Sequence, residues 1–142
     1  MKIIMEFILS LSFVSFLCHA CCGHKEINGI EVTELLLIVS EEQNIDYCKL
    51  LNEATNGNES SIKEIALLKI YDGAGYDHGA VLVDLIEKIG EDKFIQSIRT
   101  INNREKKLIK GYLEAGIEYG GNPGIQGRTL KETFPKINDF IG

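Results

Sequence analysis

Apolar residues recur along most of this chain at three- and four-residue intervals, the spacing that gathers them on one face of a helix. Ile45, Cys48, Leu50 and Leu51 form one such stripe, with Asn44 placed as its N-cap and Asn56-Gly57-Asn58 as its stop. Ile62, Ile65, Ala66 and Leu68 form the next, with Lys63 and Glu64 outward and Ser60 and Ser61 as caps. It fades at Asp72-Gly73-Ala74-Gly75, which predicts a corner. A third helix is predicted from Tyr76 to Ile89, with Val81, Leu82, Leu85 and Ile86 inward and Gly90 as its C′ residue. Glu91-Asp92 opens a fourth, carrying Phe94, Ile95, Ile98 and Ile101 and broken by Asn102-Asn103. The fifth runs from Arg104 to Tyr119 on Leu108, Ile109, Tyr112, Leu113 and Ile117, and Gly120-Gly121 closes it. After a loop, a last helix begins at Thr129, with Pro135 kinking or restarting it. Val32 to Val39 fits a short helix from Thr33 or a strand; no alternating partner strand follows, which favours helix.

Short connections between such helices make sequential neighbours antiparallel. The predicted fold is therefore all-α: a compact bundle, or a short superhelix, of about five to six antiparallel helices. Helix pairs of this size stack in helical-repeat proteins such as HEAT or TPR arrays, although no internal self-similarity marks this chain as a repeat.

The N-terminus has a different pattern. Met1-Lys2 precedes a run from Phe7 to Leu17 without a charge. A membrane-spanning helix needs roughly 20 apolar residues, whereas a signal peptide needs far fewer. Cys18 and Ala20 are small enough for a signal peptidase, with the cut between Ala20 and Cys21. Residues 1–20 are accordingly expected to be a cleaved signal, residues 21–31 a tether, and residues 32–142 a single helical domain.

An apolar run, a small residue and then Cys21 resembles a bacterial lipoprotein signal, with Cys18 standing where such signals usually place a leucine. The resemblance implies that Cys21 carries lipid and that the protein is membrane-anchored in the bacterial envelope; plain cleavage would make it soluble, periplasmic or secreted. Of the four cysteines, Cys18 leaves with the signal and Cys21 with the lipid. That leaves Cys22 and Cys48 as an even pair able to form a disulfide in an oxidising compartment.

A formal net charge of −6 argues against nucleic acid, whose phosphates call for a basic footprint. It suits a basic protein target instead. No cofactor motif is present. Cys18, Cys21, Cys22 and His24 have zinc-ligand side chains, but no second ligand pair follows, so no metal site is expected.

The densest chemistry lies between Tyr71 and Gly79, which brings together Asp72, Tyr76, Asp77 and His78. Read as structure, this is a helix–loop–helix corner in which Asp77 caps the following helix. Read as function, the four residues contact a ligand or partner, or Asp72, Asp77 and His78 serve a small metal-dependent or His/Asp hydrolase. Gly73-Ala74-Gly75 lacks the lysine and the βαβ context of a phosphate loop. No constellation has catalytic spacing, so no catalytic residue is assigned. The favoured expectation is an exported helical interaction protein that neutralises or docks a protein partner, with tyrosines near Tyr76 and Tyr119 as anchors.

Overall fold

The computed structural model describes residues 26–142. The expected signal peptide, its cleavage site, the lipidated Cys21 and residues Cys22 and His24 lie outside them. The described chain is mostly helical, as the periodicity predicts, with eight helices and antiparallel packing of neighbours.

The second half of the predicted tether is a small hairpin. Strands β1 (Glu26–Ile27) and β2 (Ile30–Glu31) pair antiparallel around Asn28-Gly29. Both turn residues have positive φ, 51° and 84°, the conformation that a tight two-residue hairpin turn demands. The Asn28 side chain donates to Asn52 and Thr55, and the hairpin buries Ile30 in the core.

Helices α1 (Glu34–Glu42), α2 (Tyr47–Thr55) and α3 (Glu59–Ala66) follow. Thr33, Asp46 and Asn58 cap them by accepting from backbone N–H groups three residues ahead. Three expected caps, Asn44, Ser60 and Ser61, are therefore displaced, Ser60 lying inside α3 as its second residue. Asn44 sits in the connecting turn with a φ of 58°, and Asp46 caps instead. Ser61 donates to Glu53 rather than capping, because Asn58 already accepts from the Ser61 amide.

Helix α4 (Asp72–Ile89) starts at the glycine-rich segment, four residues earlier than predicted. The predicted corner lies instead at residues 67–71. Gly90, with a φ of 85°, then turns the chain into α5 (Glu91–Ile98). Asn102 and Glu105 close a reciprocal capping box at the start of α6 (Asn103–Tyr119). Thr129 and Glu132 do the same for α7 (Leu130–Thr133), and Pro135 restarts the chain as the first residue of α8 (Pro135–Ile141).

Helices α2 and α3 are antiparallel, joined where Ser61 reaches back to Glu53. Between pairs the sense repeats. Glu59 of α3 meets Lys93 of α5, and Lys63 meets Thr100 just beyond it. Likewise Ile70, before α4, bonds Tyr112 of α6, and Glu87 meets Asn122 just past α6. The helices thus stack as successive pairs, with α2, α4 and α6 in one layer and α3, α5 and α8 in the other. Leu51, Ile65, Leu82, Phe94, Ile98 and Leu113 are fully buried between the layers. No helix among the described residues is long and apolar enough to cross a membrane.

Candidate functional site

Because α4 begins at Asp72, the residues grouped in sequence point in different directions. His78 lies in the second turn and is completely buried. Its Nδ1 is 2.8 Å from the Tyr47 hydroxyl, and its ring meets the edges of Tyr47 and Tyr112 at centroid distances of 5.8 and 4.7 Å. Burial pushes the His78 pKa down to about 3, against a weaker opposing effect of the Ile65 carbonyl. Burial, with Tyr112 and Asp77 nearby, raises the Tyr47 phenol well above its usual value, so it stays protonated. Among the described residues the Tyr47 O–H has only Nδ1 to donate to, and in that arrangement the imidazole proton sits on Nε2. Among the described residues no acceptor meets Nε2 at full hydrogen-bond geometry, and the Ile65 carbonyl is near enough only to oppose the fall in pKa weakly.

Asp77 is half-buried and accepts from the Thr33 hydroxyl at 2.5 Å, tying α4 to the start of α1. It does not cap α4. Asp72 is exposed at the first position of α4, with a φ of 55°. Asp72, Asp77 and His78 are thus separated: one carboxylate in solvent, one bound to Thr33, and an imidazole in the core. Among the described residues no three His, Cys, Asp or Glu side chains gather in a way that could hold a metal ion. His78, expected among the contact residues, is out of reach of solvent.

Tyr76 does lie at the surface. It pairs edge-to-face with Tyr119 of α6 at a centroid distance of 5.2 Å, and the two are 51% and 67% exposed. Tyr71, at the N-cap of α4, is 64% exposed beside them. The glycines bring this face together. A Cβ on Gly79 would lie 2.3 Å from the Tyr112 carbonyl oxygen, and one on Gly116 would lie 2.2 Å from that of Gly79. Only glycine at both positions lets α4 and α6 approach backbone to backbone. Tyr112 adds a clamp: its hydroxyl accepts from the Ile70 amide and lies 2.9 Å from the carbonyls of Leu68 and Ile70.

A shallow groove made of three adjoining depressions, each sharing lining residues with the next, follows α6 along this face. Leu67, Lys69, Tyr71, Arg104 and Leu108 line its first stretch. Tyr71 and Leu108 continue into a central stretch of about 420 Å³, bordered by Tyr76, Lys107 and Ala115. Ala115 leads into the last stretch, with Glu118, Tyr119, Arg128 and Leu130. From Arg104 to Glu118 this amounts to about 21 Å at the helical rise.

No family model, curated protein or solved structure matches this chain. The groove is an open, tyrosine-walled trough suited to an extended or helical segment of another chain. Tyr76 and Tyr119, which flank glycine-rich segments in the sequence, are exposed. Tyr47, the partner of His78, has no distinguishing mark in the sequence, and periodicity marks the cations Lys69, Arg104 and Lys107 only as outward-facing. Cys48 is half-buried and disulfide-bonded; the expected pairing with Cys22 involves a residue outside those described.

Proposed function

We infer that this chain is an exported helical docking protein of the bacterial envelope, anchored by lipid on Cys21, that binds or neutralises a protein partner through its tyrosine face. The exposed Tyr76–Tyr119 pair carries the reading. Tyrosine offers a large amphipathic contact area at low entropic cost, and it is enriched among residues that dominate interface energies. Three exposed tyrosines gathered around one trough make a contiguous patch of the kind that marks interaction sites, unlike singly scattered residues. Tyr71 and Tyr76 stand on a helix start fixed by the Tyr112 clamp, so the face is pre-organised and loses little freedom on binding.

Two measurements test this. The intact mass of the native N-terminus, with membrane fractionation, reads the anchor: an acylated Cys21 in the membrane fraction is expected, and an unmodified Cys21 in the soluble fraction overturns that part. A photo-crosslinking residue at Tyr71 in living cells reads the docking. One discrete adduct is expected, lost in Tyr76→Ala/Tyr119→Ala without change in thermal unfolding. No adduct, or one indifferent to those substitutions, sinks the docking reading.

A further inference from the structure

We propose that the groove takes an acidic, apolar-containing peptide segment of the partner protein, with carboxylates on Lys69, Arg104 and Lys107 and an apolar side chain over Leu67 and Leu108. This rests on the docking reading above and specifies its partner. The chain's net charge points to a basic target. The charge of the groove's first two stretches points the other way. Lys69, Arg104 and Lys107 rim its first two stretches, and among the described residues none of the three has an ion-pair partner. Two acids share this part of the rim. Glu105 is engaged, its carboxylate accepting from the Asn102 amide in the capping box. Glu105 keeps its charge in that bond, so two carboxylates stand against three cations, a net charge of +1 in these stretches.

The last stretch of the groove is acidic, with Glu114 and Glu118 against Arg128, so the acidic peptide is assigned to the first two stretches alone; a further acidic cluster lies outside the groove. Glu31, Asp84 and Glu87 lie close enough that, after burial, the last-named and then Glu31 raise the Asp84 carboxyl pKa. Asp84 stands about 18 Å along α4 from Asp72, beyond the roughly 8–10 Å over which salt water screens a charge. At contact distance a partner therefore senses the local cations rather than the net charge. The floor calls for apolar matter: Leu67 and Leu108 are half-buried, with Tyr71 as a wall. A concave trough with cations along its rim fits a peptide better than a flat anionic bilayer, against which only the exposed rim could lie.

The test uses the full-length protein and a display library of short random peptides, followed by fluorescence polarisation of the selected sequences. The expected winners combine Asp or Glu with Leu, Phe or Met. Their affinity falls as salt rises, about tenfold in Lys69→Glu/Lys107→Glu, and it is lost in Tyr71→Ala/Tyr76→Ala. Winners that need the tyrosines but show no acidic bias overturn this proposal and leave the docking reading standing. Failure to select any tyrosine-dependent peptide overturns both. Binding to vesicles of phosphatidylglycerol and phosphatidylcholine that is lost in Lys69→Glu/Lys107→Glu, with no acidic peptide selected, overturns the proposal in favour of a lipid surface. Both pairs of positions are exposed, so the variants are expected to fold; unfolding curves matching the parent check this.

Discussion

The Tyr47 hydroxyl and Nδ1 of His78 lie 2.8 Å apart inside the core, so one buried hydrogen bond joins α2 to α4. With the buried imidazole neutral, the phenol, which stays protonated, donates to the free Nδ1; protonating the ring would force the phenol to turn and accept instead.

The first prediction concerns pH. The folded pKa of His78 is depressed to about 3 from an ordinary 6.5. Between those values the unfolded chain binds the proton and the folded chain does not. Stability is therefore full above about pH 6.5 and falls as pH drops towards 3, at up to about 1.4 kcal/mol per unit. Urea unfolding between about pH 7 and pH 5, above the carboxylate range, should show this slope. His78→Leu should flatten it. An equal slope in the variant would assign the effect to another group.

A second prediction separates the bond from the packing. Tyr47→Phe keeps the ring but leaves Nδ1 without its donor in a dry site, at a cost of about 1–3 kcal/mol. In the His78→Leu background the same change removes no partner and should cost much less. A double-mutant cycle by chemical denaturation should return a coupling of about 1–2 kcal/mol. Additive losses would mean that the hydrogen bond contributes nothing beyond shape.

Helix positions were legible in the sequence because each buried stripe repeats at helical spacing, as with Leu82, Leu85 and Ile86 on α4. The start of α4 was not. Gly73 and Gly75 read as breakers because glycine costs about 1 kcal/mol in a helix interior. Tertiary contact reverses that sign: a Cβ at Gly75 would sit 2.9 Å from the Ile70 carbonyl oxygen. The buried stripe of α4 sets the phase: His78 lies three and four residues before Val81 and Leu82 and so turns inward, while Tyr76 falls on the outer side. The spacings Gly75-x-x-x-Gly79 and Gly116-x-x-x-Gly120 held the available signal, since small residues four apart mark close helix crossings. Asn28-Gly29 between Ile27 and Ile30 was likewise a hairpin signal, hidden by the shortness of its strands. The groove had no such signal, because its cations and tyrosines come from separate segments that only the stacking of α4 on α6 brings together.

A third prediction follows from the capping box. The Asn102 side chain accepts from the amides of both Arg104 and Glu105. Asn102→Ala should destabilise the protein by about 1 kcal/mol, and Asn102→Gly by only a few tenths. Thermal unfolding of the two variants side by side reads the difference. Equal losses would show that the backbone conformation of residue 102, rather than its amide, starts α6.

The last prediction contrasts glycines on α4 and α6. At Gly79 and Gly116 an added methyl meets backbone atoms of the facing helix at 2.3 and 2.2 Å, and backbone cannot rotate away. Gly79→Ala or Gly116→Ala must therefore push α4 from α6, costing roughly 3 kcal/mol. The shift also carries Tyr76 and Tyr119 apart, so both variants should lose docking beyond their loss of stability. Gly111 lies on the same helix as Gly116 but has nothing within 4 Å of an added Cβ. There Gly→Ala should stabilise by about 0.5–1 kcal/mol, through helix propensity and a less disordered unfolded chain. Denaturation midpoints for the three variants test the crossing directly. Opposite signs at residues 116 and 111, five positions apart on one helix, would mark close approach to α4 as the reason glycine stands at 116. Matching signs would mean that the two helices are free to separate.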